Sequence, residues 1–138
     1  MADTTAPRVK PRPLSPHLQV YRMTLTMAMS IVHRITGAAL YFAILVVAWW
    51  LIAAGPGPNA YAVFESYIGG WFGRLVLFGY TWALLHHALG GVRHLIWDMG
   101  RGLEPAERET LTVVTLIGSI GLTLLLWGAG YLALGGPR

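Results

Sequence analysis

Ile35-Thr36-Gly37-Ala38-Ala39-Leu40-Tyr41-Phe42-Ala43-Ile44-Leu45-Val46-Val47-Ala48-Trp49-Trp50-Leu51-Ile52-Ala53-Ala54 is a run of 20 residues without a charge. About 20 apolar residues, each rising 1.5 Å along a helix, cross the hydrocarbon of a bilayer, so this run predicts a transmembrane helix. Two more runs behave alike. Leu75–Val92 is 18 residues without Asp, Glu, Lys or Arg, although it contains His86 and His87. Leu111–Gly136 is 26 uncharged residues. Gly55-Pro56-Gly57-Pro58-Asn59 ends the first span and starts a loop, and Gly100-Arg101-Gly102 with Pro105 separates the second from the third. The expected fold class is an all-α membrane protein with three transmembrane helices. Residues 1–138 form one domain, with a cytoplasmic N-terminal segment at 1–28 and helices at about 29–54, 71–98 and 110–135.

Composition supports lipid as the solvent. Of the 138 residues, 55% are hydrophobic and 12% charged, and the net charge is +4. Soluble domains carry about 25% charged residues, so this chain could not cover a water-facing surface. Trp49, Trp50, Trp71, Trp97 and Trp127 mostly fall near span ends, where indoles suit the headgroup layer.

The positions of the cations orient the chain. Arg8, Lys10, Arg12, Arg22 and Arg34 precede or open the first span, and Arg93, Arg101 and Arg108 flank the second loop. Arg74 and Arg138 alone serve the other side, a division of eight against two that predicts a cytoplasmic N-terminus. The basic N-terminal stretch is too sparse and proline-interrupted for a nucleic-acid arm. The chain has no cysteine, which excludes disulfides, a thiolate nucleophile and a thiolate-ligated iron–sulfur cluster in it. Residues 1–16 contain no apolar stretch and do not read as a signal or transit peptide, so a bacterial inner membrane is the expected location.

Ionisable groups inside a span are candidate functional sites, because placing them there costs several kcal/mol. Helical spacing puts His87, Gly90, Gly91, His94 and Asp98 on one face. That face offers a histidine, a gap made by two glycines, and polar groups at the cytoplasmic end. Such a face suits an axial haem ligand beside a porphyrin. It equally suits a histidine bonded to a neighbouring helix, with glycines serving helix packing. His86 is rotated about 100° from His87 and is expected to bond another helix or subunit. Ser30, His33, Arg34 and Gly37 form a second one-face set at the start of the first span. Arg34 and Ser30 suit a carbonyl or carboxylate at the membrane boundary, whereas a snorkelling Arg34 is the plainer reading. Arg93, His94 and Asp98 read as a positive-inside anchor with one salt bridge. The third span, with Gly118, Gly121, Gly128 and Gly130 and no ionisable residue, reads as scaffold packed through glycine.

Three ordered segments resemble one family. Arg12-Pro13-Leu14-Ser15-Pro16-His17-Leu18-Gln19-Val20-Tyr21-Arg22, Ser30-Ile31-Val32-His33-Arg34-Ile35-Thr36-Gly37 and His87-Ala88-Leu89-Gly90-Gly91-Val92-Arg93-His94-Leu95-Ile96-Trp97-Asp98 are similar to the motifs of the cytochrome b anchor subunit of succinate dehydrogenase. The second and third match S-x-x-H-R-x-[ST]-G and H-x-x-x-G-x-R-H-x-x-x-D. The resemblance implies a place in a larger anchor-subunit helix bundle. It further implies haem b with His87 as axial ligand, and ubiquinone as substrate held by Ser30 and Arg34. His33, Arg34 and His94 become haem-propionate or second-shell residues, and Asp98 a proton path near the quinone. The implied partners are a second anchor subunit supplying the other haem ligand, an iron–sulfur subunit, a flavoprotein and the bilayer. No flavin or cluster is expected in this chain. The same architecture serves a fumarate reductase anchor. A cofactor-free anchor and a proton-conducting transporter subunit are the other readings, although transporters usually show more spans.

Overall fold

A computed structural model describes residues 22–134. Apart from Arg22, the N-terminal motif lies outside the described residues, as do Arg8, Lys10 and Arg12 and position 135 of the third expected span. The described chain is helical and carries four elements: α1 (Leu25–Ala54), α2 (Pro58–Ile68), α3 (Trp71–Asp98) and α4 (Pro105–Leu134). Three of them, α1, α3 and α4, are long and apolar enough to cross a membrane. At 30 residues, α1 is about 45 Å long at 1.5 Å per residue, more than the roughly 30 Å of hydrocarbon requires.

Local chemistry sets the helix ends. The Thr24 side chain caps α1 by accepting from the Met27 backbone N–H at 3.3 Å. Gly57 has a φ of 113°, which a side chain would resist, and Pro58 opens α2 where its missing N–H costs nothing. The Gly-Pro run thus makes a turn, as expected, but the chain then enters a short helix. Phe64 folds α2 back onto α1 by meeting Trp49 edge-on, with ring centroids 5.0 Å apart. At the other end, Gly100 has a φ of 72° and closes α3 in a Schellman motif. The Arg101 N–H donates to the Ile96 carbonyl at 3.2 Å and the Gly100 N–H to that of Trp97 at 2.8 Å. Trp97 Nε1–H then holds the turn through the Gly102 carbonyl at 3.0 Å.

Packing is inverted relative to a water-soluble bundle. The buried hydrophobic residues are Ala53, Phe64 and Ala83, whereas Thr36, His86, Arg93, Thr112, Thr115, Ser119 and Thr123 are all buried. Large apolar side chains such as Phe42, Leu45, Leu84, Leu125 and Leu132 face outward. Lipid is as apolar as leucine, so helices in it associate through small residues and interhelical hydrogen bonds. Helix α3 is central and packs on α4 and α1.

The α3–α4 seam corrects the expectation of glycine packing. Gly121, Gly128 and Gly130 have open space where a Cβ would stand, and Gly118 merely reaches Leu89 at 3.4 Å. The seam is built instead from Thr112, Thr115, Ser119 and Thr123, spaced by three and four residues along one face of α4. Each hydroxyl donates to a carbonyl of its own helix, three or four residues back, at 2.7–2.8 Å. Small side chains whose protons are already used let the helices approach and still present lone pairs to α3.

Candidate functional site

His87 sits on α3 facing α1. Its Nδ1 lies 3.0 Å from the His33 carbonyl oxygen and 3.4 Å from Thr36 Oγ1. A carbonyl oxygen can accept alone, so Nδ1 must carry the ring proton. The Thr36 hydroxyl gives its own proton to the same carbonyl at 2.9 Å, so it too can accept from His87. The neutral ring therefore keeps its lone pair on Nε2. Nε2 has no hydrogen-bond partner among the described residues, and it is not among their buried unpartnered atoms. The imidazole is thus held in a fixed tautomer with its basic nitrogen open.

Two glycines allow this arrangement. The His33 and His87 rings stack at 4.0 Å with 2° between their planes. A Cβ on Gly37 would lie 2.8 Å from His87 Cε1, and one on Gly90 would collide with His33 Nδ1 and stand 2.9 Å from its Cε1. The gap expected over Gly90 and Gly91 is therefore half filled. His33 reaches from α1 into the Gly90 notch, because only glycine lets the two backbones close around two stacked rings. Gly91 stays clear, with nothing within 4 Å of a Cβ position. His94 is exposed, with its ring 5.2 Å from that of His33.

His86 lies on the face of α3 turned toward α4 and is fully buried. Its Nδ1 is 3.2 Å from Ser119 Oγ, whose proton goes to the Leu116 carbonyl, so His86 donates. Trp82 stacks on it at 5.1 Å. It ties α3 to α4 and cannot share a ligand with His87.

The second feature is a pocket of about 350 Å³ where α1 begins, α3 ends and α4 begins. Ser30 and His94 line it together with Thr26, Met27, Arg93, Trp97, Leu103 and Arg108. Of the residues expected near a quinone, Ser30 thus reaches the pocket. Arg34 and Asp98 are exposed and do not line it.

Arg93 departs most from the sequence-based expectation. It is not a solvated anchor but 2% exposed. Its Nη1 donates to Thr112 Oγ1 at 3.3 Å, and its Cζ lies 5.1 Å from the Trp97 ring centroid. Its Nε has no partner among the described residues. Thr112 is also 3.5 Å from Thr26 Oγ1, which brings all three long helices to one point. The hydroxyl spacing of α4 could have pointed to a polar seam. Nothing in the local sequence separates a buried Arg93 from an exposed one.

Residues 8–128 match the family described as Succinate dehydrogenase/Fumarate reductase transmembrane subunit. The chain belongs to this family. The succinate dehydrogenase cytochrome b556 subunit of Paracoccus denitrificans is 45% identical over 114 residues, covering 83% of this chain and 88% of the relative. That of Rickettsia felis is 37% identical, with 84% and 90% covered. The mitochondrial cytochrome b560 subunit of Sus scrofa is 34% identical, with 83% and 71% covered. These relatives support a membrane-anchor role in succinate dehydrogenase for a family member whose three apolar helices carry the stacked histidines and the Ser30 pocket at one end.

Proposed function

We propose that this anchor subunit holds haem b through His87 and forms part of a ubiquinone site at the cytoplasmic face of a bacterial inner membrane. The observation that carries the haem assignment is the Nδ1 contact of His87 with the His33 carbonyl. Histidines that ligate metals usually donate their other ring N–H to a carbonyl or carboxylate, which fixes the tautomer and raises basicity. The residues fit the group, since the His33 carbonyl and Thr36 engage Nδ1 and leave Nε2 open as a nitrogen donor. When bound, haem b supplies a one-electron redox centre there. Within this chain His33 is stacked flat on His87 and His86 is bonded to Ser119, and the family resemblance implies that a second anchor subunit would supply the haem's other ligand. By the family resemblance, His33, His94 and Arg34 would serve the propionates.

Electrons reach the quinone from an iron–sulfur partner that is itself supplied by a flavoprotein oxidising succinate. Two electrons and two protons convert the two quinone carbonyls to hydroxyls. Ser30, which makes no side-chain hydrogen bond among the described residues, is free to donate to one carbonyl. Arg34 stands one helical turn further along the same face of α1, exposed and outside the pocket lining. Asp98, exposed at the end of α3, would pass protons from water. The excess of Lys and Arg on this side supports a cytoplasmic N-terminus.

Ser30→Ala and Arg34→Ala test the quinone assignment in the purified four-subunit complex. A neutral hydrogen bond is worth about 1 kcal/mol and one to a charge about 1.5–3, so ubiquinone KM should rise roughly fivefold and at least tenfold respectively. The reduced-minus-oxidised haem spectrum should stay near wild type. Unchanged quinone kinetics in both variants would remove the assignment.

A further inference from the structure

Arg93 is a buried cation that the haem and quinone roles above leave unused. We infer that Arg93 is a quinone-binding residue, its guanidinium lining the same pocket as Ser30 and stabilising negative charge on the substrate oxygen. The inference rests on the quinone reading of that pocket.

The guanidinium has five N–H donors, and the described residues account for one hydrogen bond, to Thr112. Thr112 is itself held, because its proton goes to the Arg108 carbonyl at 2.7 Å. Trp97 covers the guanidinium as a cation–π partner. The cation is therefore positioned by α4 and by its own helix, with donors left over, on the wall of a pocket that, among the described residues, no carboxylate lines. A buried charge without a carboxylate costs much unless a ligand shares it.

The lining suits a quinone ring. Trp97, Met27 and Leu103 give apolar and aromatic surface, Ser30 gives a neutral donor, and Arg93 and Arg108 give charged ones, of which Arg93 is the buried one. An uncharged quinone carbonyl accepts weakly. As an electron from the iron–sulfur partner enters the ring, charge grows on the oxygens, and a fixed cation stabilises that state more than the oxidised one. Protons from water then complete the two hydroxyls.

Arg93→Gln, Arg93→Lys and Thr112→Val complexes would be assayed with a soluble ubiquinone analogue, beside Ser30→Ala. Loss of a hydrogen bond to a charge predicts a rise of about tenfold or more in KM, with a fall in kcat, for Arg93→Gln. Arg93→Lys keeps charge without the fork and should recover part of the loss. Thr112→Val frees the guanidinium from α4 and should raise KM by less. The haem band of each variant reports assembly, and where Arg93→Gln does not assemble, Arg93→Lys and Thr112→Val carry the test. Wild-type KM in assembled Arg93 variants, with a raised KM in Ser30→Ala, overturns this inference and leaves the pocket intact. Wild-type KM in Ser30→Ala as well overturns the pocket reading itself. Recovery of the Arg93→Gln defect by added anionic phospholipid would instead make the cation a headgroup ligand, and also overturns the inference.

Discussion

His87→Ala is expected to abolish the low-spin b-type absorption of the assembled complex, while His86→Ala keeps it. The two residues are neighbours in sequence and differ completely in setting. His87 bonds the His33 carbonyl through Nδ1 and leaves Nε2 open, whereas His86 is enclosed between Trp82 and Ser119. Altering a second-shell partner of a ligating histidine costs about 10–100-fold in metal affinity, and deleting the ligand itself costs more. Thr36→Val removes one of two acceptors for His87 Nδ1, so it should weaken haem retention within that range and shift the band. The measurement is a reduced-minus-oxidised spectrum normalised to protein after gel filtration. Added imidazole should restore part of the band in His87→Ala, because the truncation leaves a ring-sized space beside Thr36. A wild-type band in His87→Ala would move the iron to another residue and dissolve the haem assignment.

The contrast between these histidines shows what one dimension of sequence carries. The spans are legible because 18–26 residues without a charge have no alternative to lipid. Rotation about the helix is legible too, since consecutive residues differ by about 100° and His86 and His87 had to part company. Which neighbour each face meets is not. Nothing local says that His33 enters the notch of Gly90, since that depends on how closely α1 approaches α3. Arg93 fails for a related reason. Counting cations beside a span orients it, but depth is set by the hydroxyl of Thr112, 19 residues away on another helix. Helix α2 was hidden by its entrance, a Gly-Pro run that marks a turn and leaves the next element unspecified. Its anchor is the distant contact of Phe64 with Trp49. The glycine stripe of α4 misled because small residues and hydroxyls serve close packing equally, and the threonines and serine had won the buried face.

Glycine at position 37 carries the other large effect. In a helix interior, Gly→Ala ordinarily gains about 0.8–1.0 kcal/mol. Gly79, with nothing within 4 Å of its would-be Cβ, should obey that rule and tolerate alanine. At Gly37 the added carbon would stand 2.8 Å from His87 Cε1, inside van der Waals contact. The ring has little freedom to retreat, as His33 covers one face at 4.0 Å and Nδ1 is tied to the His33 carbonyl at 3.0 Å. Relief requires either breaking that hydrogen bond or moving α1 from α3. Overpacking of this kind costs about 1–3 kcal/mol, which exceeds the propensity gain, so Gly37→Ala should be destabilising where Gly79→Ala is neutral or stabilising. Gly90→Ala presses on the same stack from the other helix, through His33, and belongs with Gly37→Ala. The readouts are the thermal inactivation temperature of the complex and the position and intensity of its haem band. Both should fall or shift together at Gly37 and Gly90, because stability and ligand orientation depend on one stacked pair. Equal behaviour of Gly37→Ala and Gly79→Ala would mean that α1 does not close on His87, and the fixed tautomer that supports the ligand assignment would lose its basis.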